Sequence, residues 1–235
     1  VSADYAQAEV RMMAHFAQDE GLIEALRSSD IHQYIARRLY GLTDEELDAM
    51  SPDQRGQHRR GAKNLVFGLI YGRSDMGLAP QLGCTVKEAA AFREAFFDMM
   101  PGVAEWIQRQ HQLVLERREV KSLYGRVRRF PVLFDRAHVA AMQRQAVNMP
   151  IQSSVSDMTL LANLRILRRL RQEGVPVLPW PHFHDGFIIQ VGEDHVDRGV
   201  AICVEEMHDS GFRTDVPFAI AVSVGPSWAE THEVY

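Results

Sequence analysis

From residue 28 to about residue 120 the apolar positions recur at helical spacing, and segments with strand character lie only before and after that stretch. Any sheet must therefore be assembled from the two ends of the chain around a helical insertion. The expected class is α+β, with an antiparallel sheet packed against helices and interrupted by an all-helical subdomain.

The details fit that outline. The chain opens in a short apolar run ending at Asp4-Tyr5 and reads as helix through Phe16. Ser29-Asp30 is placed to cap a helix carrying Ile31, Tyr34, Ile35 and Leu39; Gly41 ends it, and Thr43 with Glu46 has capping-box spacing for the next. Residues 53–71 hold no proline and keep the helical period, although Gly61 and Gly68 each cost about 1 kcal/mol relative to Ala. Thr85 with Glu88 caps a helix to Met100, and Pro101 separates it from a helix over 103–118. Tyr124-Gly125 marks a short hairpin. A helix over 137–147 is expected to stop before Pro150, which disfavours helix at Met149, and another to run from about Ser154 to Glu173, with Gly174 as its stop. Residues 180–191 read as two strands joined at Asp185-Gly186, 196–207 as a helix, and 217–224 as a final strand with Phe218, Ile220, Val222 and Val224 on one face.

The chain is 46% hydrophobic, enough for a sizeable core, and no run approaches the roughly 20 apolar residues of a membrane helix. No secretory leader pattern opens it, so no membrane partner is expected and a cytoplasmic location is the default. Cys84 and Cys203 have no ligand spacing around them and read as buried thiols. The net charge of -5 weighs mildly against a phosphate-binding surface, but the cations are clustered: Arg59, Arg60 and Lys63; Arg126, Arg128 and Arg129; Arg165, Arg168, Arg169 and Arg171. The stretch from Arg168 to Arg171 reads as a solvated helix face; the first two clusters do not.

Three segments can carry chemistry. DYAQAEVR at residues 4–11 puts an acidic residue at a strand end; alone, Asp4 reads equally as a helix cap and Glu9 as a solvated side chain. In RRGAKNLVFGLIYG, residues 59–72, Arg59, Lys63, Phe67 and Tyr71 stand four apart. Each step advances a helix by about 400°, so all four share one face that drifts by only about 40° per step. Two cations could grip a triphosphate and Phe67 could press on a base and sugar. The plainer alternative puts both aromatics in the core and both cations in water; it leaves Gly68 and Gly72 unexplained, whereas those glycines would admit a template base. The third segment, HFHDGFIIQV at residues 182–191, is a hairpin with His184-Asp185-Gly186 at its tip. A D-G turn needs no functional reason, but beside Asp4 it supplies a second strand-end carboxylate, as a two-metal site requires.

In order and rough separation these segments resemble motifs A, B and C of family A DNA polymerases. The resemblance extends to DIH at residues 30–32, LYGRVRRFP from Leu123 and RQAVNMPIQSSVSD from Arg144, and so covers nearly the whole chain. It implies palm at residues 1–27 and 123–235 and fingers at 28–122. It further implies that Asp4 and Asp185, with the Tyr5 carbonyl, hold two Mg2+ ions; that Lys63 protonates pyrophosphate; and that Glu9 is a steric gate against a 2'-hydroxyl. Residues His32, Arg59, Lys63, Phe67 and Tyr71 would meet the dNTP, and Phe67 in place of Tyr suggests discrimination against dideoxynucleotides. Arg144, Asn148, Gln152 and His184 would meet primer-template DNA.

Two departures accompany the resemblance. Gly186 stands where motif C usually carries glutamate, which hints at a viral lineage. The family's thumb, and often an exonuclease, precede motif A, so a second polypeptide or an upstream segment is expected to supply them. A catalytic core is the leading expectation; a non-catalytic DNA-binding or assembly subunit that keeps the fold is the alternative.

Overall fold

A computed structural model describes residues 1–28, 30–132, 135–209 and 211–235, with every side chain among them except that of Asp44; the expected capping role of Ser29 lies outside the described residues. Strand β1 (Ser2–Tyr5) and helix α1 (Ala8–Ala17) are followed by α2 (Glu20–Arg27), α3 (Ile31–Leu39), α4 (Asp44–Ala49), α5 (Pro52–Ile70), α6 (Asp75–Leu82), α7 (Val86–Met99) and α8 (Pro101–Arg117). A small hairpin of β2 (Glu119–Lys121) and β3 (Val127–Arg129) leads into the long helix α9 (Arg136–Gln172). Then come β4 (Val177–Phe183), β5 (Gly186–Val191), a 3-10 turn at Glu193–His195, α10 (Val196–His208), β6 (Ile220–Val224) and β7 (His232–Glu233). Val1–Glu9 with Gln152–Tyr235 makes one compact unit and Val10–Ile151 the other. These divisions follow internal contacts and differ from the palm and fingers limits at 27/28 and 122/123, so α1 and α9 each contribute to both units.

The first unit is built on a five-stranded sheet in the order β4-β5-β1-β6-β7, antiparallel throughout, drawn from the two ends of the sequence as expected. Alternation along the strands divides its faces. Ala3, Tyr5, Phe187, Ile189 and Val222 are buried, with Ile202, Cys203 and Met207 of α10 also buried in this unit. Each large apolar side chain removed from water in this way contributes about 1.5–3 kcal/mol. Tyr5 is fully buried and satisfies its hydroxyl by donating to Met207 O at 2.8 Å. The other face carries Ser2, Asp4, Gly186, Ala221, Ser223 and Glu233, as the register pairs Asp4 with Gly186 and Ala221, and Ser223 with Ser2 and Glu233.

The second unit is helical apart from the β2–β3 hairpin. Helix α5 starts at Pro52 because Ser51 and Gln54 form a reciprocal capping box and proline is preorganised for the first helical position. It buries Ala62, Leu65, Val66, Leu69 and Ile70, leaving Phe67 half-buried beside that stripe rather than inside it. The Thr43–Glu46 and Thr85–Glu88 capping boxes form as expected. Asp19 caps two helices at once: Oδ1 accepts from Leu22 N at 2.9 Å, and Oδ2 accepts from Gly102 N at 2.7 Å and Val103 N at 3.3 Å.

Four features differ from the sequence expectation. Helix α9 does not break at Pro150, and the expected helices over 137–147 and 154–173 are one element. Burial of Ala146, Val147 and Ile151 on one side, and of Val155 and Met158 beyond, outweighs the roughly 3 kcal/mol an internal proline costs. The motif C hairpin turns at His184-Asp185, because Phe183 already pairs with Gly186; the positive φ of 49° falls on His184, and Gly186 is a strand residue. Phe218 precedes β6, and the last strand is β7 rather than β6. Gly68 and Gly72 are explained within the protein. A Cβ at Gly68 would collide with Leu78, while Gly72 has φ of +66° and its Cβ would stand 2.8 Å from Arg144 Cγ.

Candidate active site

The first group of predicted residues lies in the sheet unit. Asp4 occupies the open face of β1, and Asp185 sits in the β4–β5 turn, where its carbonyl accepts the Tyr5 N–H at 3.1 Å. This backbone bond brings the two strand-end aspartates together. Burial raises the pKa of Asp4, and the Asp185 and Glu233 carboxylates raise it further. Glu233 reaches this face from β7 and was not foreseen, since a two-residue strand leaves no periodic signal. Among the described residues no three His, Cys, Asp or Glu side chains are grouped to hold a metal ion. The neighbouring Asp4 and Asp185 carboxylates nevertheless fit the role of Mg2+ ligands, because Mg2+ commonly takes one or two carboxylates and completes its shell with water and substrate phosphates. Glu9 is half-buried in the first turn of α1, and His184 and Gln152 are exposed.

The second group lies in the helical unit, where α3 and α5 pack together. Arg59 donates from Nε to Asp30 Oδ2 at 2.5 Å. Lys63 Nζ stands 5.9 Å from the centre of the Phe67 ring, which stacks on Tyr71 at 6.3 Å and an interplanar angle of 24°. The His32 ring is 6.1 Å from Phe67. His32 is only 2% exposed, and its Nδ1 has no hydrogen-bond partner in the protein. Burial lowers its pKa to about 4, with Arg59 and Lys63 pushing the same way and Asp30 opposing. The imidazole is therefore neutral at physiological pH. On α9, Asn148 Nδ2 donates to Tyr71 O at 3.4 Å, and Arg144 lies against Gly72, so these two residues flank the end of α5. His32 of α3, Arg59, Lys63 and Phe67 of α5, and Tyr71 at the end of α5 thus share one neighbourhood, and Asp30 joins them.

The remaining cations are largely spoken for. Arg169 pairs with Glu173, Glu205 and Glu206, and Arg165 with Glu206, tying α9 to α10. Arg128 donates to Gln145 at 2.5 Å and lies over Phe130. No described helix is long and apolar enough to cross a membrane.

The model of DNA polymerase family A matches residues 1–230. The chain belongs to DNA polymerase family A. As a family A member it is 33% identical over 235 residues to DNA polymerase I of Pseudomonas aeruginosa, covering 99% of this chain and 25% of that protein. It is 34% identical over 236 residues to the thermostable DNA polymerase I of Thermus filiformis, covering 99% of this chain and 27% of that one. Among solved structures it superimposes on the POL domain of Pol1 from M. smegmatis, in complex with DNA primer-template and dNTP, with a TM-score of 0.87 and 30% identity. That match covers 97% of this family A chain and 39% of the neighbour. The chain thus spans about a quarter of the length of the P. aeruginosa and T. filiformis relatives.

Proposed function

We propose that the chain is the nucleotide-adding core of a DNA-directed DNA polymerase, in which Asp4 and Asp185, with the Tyr5 carbonyl, hold two Mg2+ ions. The observation that carries this reading is the joining of β1 to the β4–β5 turn, which sets two mutually repelling carboxylates on adjacent strand ends of a family A sheet. When bound, the ions supply activation of the primer 3'-hydroxyl and neutralisation of the triphosphate.

The chain's own residues do the rest. Arg59, Lys63 and the neutral His32 bind the phosphates, the first two by charge and the last by an N–H alone. Lys63 delivers a proton to the departing pyrophosphate. Phe67 lies against the base and sugar, and Tyr71, stacked on Phe67, holds the templating position before the nucleotide arrives. Glu9 excludes a 2'-hydroxyl. Arg144, Asn148, Gln152 and His184 contact primer-template DNA, where minor-groove acceptors shared by all base pairs allow pairing to be checked without reading sequence. The same proposal includes a second polypeptide or an upstream segment carrying a thumb, a reading supported by the 39% share of the M. smegmatis domain that this chain matches.

Primer extension with dNTPs and Mg2+, with and without a separately supplied upstream polymerase segment, tests the reading. Template-directed extension in either arm supports it. Primer-template binding without extension in both arms would replace it with a DNA-binding subunit.

A further inference from the structure

In the helical unit one carboxylate serves two elements. Asp30 Oδ1 accepts from the backbone N–H of His32 at 3.0 Å and of Gln33 at 3.2 Å, which makes Asp30 the cap of α3. Its second oxygen, Oδ2, accepts from Arg59 Nε at 2.5 Å, on a helix 29 residues further along. The cap fixes where this carboxylate sits, and the carboxylate fixes the plane of the guanidinium. Because the bond is made at Nε, the terminal nitrogens of Arg59, the pair that grips phosphate in a fork, are left to point elsewhere. The Arg59 side chain is 44% exposed. At the same helix terminus His32 is buried with an unpartnered Nδ1.

We propose that Asp30 is the positioning residue of the triphosphate subsite: through its two oxygens it sets the Arg59 fork and the first turn of α3, with His32, in one fixed arrangement. This rests on the reading above that Arg59 and His32 meet the triphosphate. Simple electrostatics makes the opposite forecast. A carboxylate beside a polyanion repels it, so removing the charge should tighten binding. Positioning requires that removal weaken it.

The sign of the change therefore decides the matter. Asp30→Asn keeps the cap, since Asn and Asp serve equally well there, but loses the charge-assisted bond to Arg59. Binding of inorganic tripolyphosphate is measured by calorimetry for the wild type, Asp30→Asn, Arg59→Lys and the double variant, with thermal melts as the check on folding. Should Asp30→Asn melt early, Asp30→Ser, another good cap without charge, replaces it. The expected result is about tenfold weaker binding in Asp30→Asn, the order of one charge-assisted hydrogen bond. No further loss is expected when the substitution is added to Arg59→Lys, because the guanidinium it orients is then gone. Equal or tighter binding by Asp30→Asn, or the same loss in both backgrounds, overturns the proposal while leaving the subsite intact. Failure of the wild type to bind tripolyphosphate overturns the subsite and the proposal together.

Discussion

Gly186 lies directly across the β1–β5 ladder from Asp4, and a Cβ at Gly186 would stand 2.9 Å from Asp4 Cβ and 3.0 Å from Ala3 O. The glycine is there for the close approach of two strands, not for the turn, whose positive φ is carried by His184. Gly186→Ala is therefore expected to push β5 from β1 beside Asp4. The cost should be about 1–2 kcal/mol in urea unfolding, in the range of overpacking, with weaker Mn2+ binding measured by electron paramagnetic resonance. An alanine variant as stable as the parent would show that the strands separate freely.

Asp19 is 3% exposed and accepts three backbone N–H groups from the first turns of α2 and α8. Gly21 and Gly102 leave the room it needs, since a Cβ at Gly102 would lie 3.0 Å from Asp19 Oδ2. Asp19→Ala removes two helix caps and strands buried donors. Destabilisation of about 2–4 kcal/mol is expected from summing two such losses, read from the shift in the denaturation midpoint.

The pH dependence of His32 follows from its burial. In the unfolded chain the imidazole protonates near 6.5, whereas in the folded protein it does so only near 4. Between those values the unfolded state binds the extra proton, so stability owed to neutral His32 is complete above about pH 6.5 and is lost as the pH falls towards 4. Proton NMR of the His32 ring should show an inflection near 4, moving upward when tripolyphosphate is added because an anion favours the imidazolium. An inflection near 6.5 in the free protein would contradict the burial of the His32 ring.

Much of the fold was legible because its signals are local. The capping boxes at Thr43 and Thr85, the division at Pro101, the stop at Gly174 and the strand-end position of Asp4 are each set by residues within one helical turn. What escaped was decided at a distance. Pro150 reads as a breaker until its neighbours are known to be buried, and Gly68 reads as room for a ligand until Leu78 is seen to fill it. Strand β7 exists only because β6 offers it an edge, so Glu233 gave no sign of approaching Asp4. Asp30 was readable as a cap, but its bond to Arg59 depends on α3 packing against α5. The candidate site was legible as motifs; the couplings among its members were not.

In the proposed function Asp4 and Asp185 act as one metal-binding unit in nucleotide addition. The most direct measurement is single-nucleotide incorporation on a primer-template with Mg2+, by rapid quench, for Asp4→Asn, Asp185→Asn and the double variant, with the upstream segment supplied where the wild type needs it. Each single change is expected to cost at least about 10³-fold in rate and the double change little more, as for groups that work together. Incorporation by either single variant at the wild-type rate would show that the two aspartates do not form one catalytic metal site.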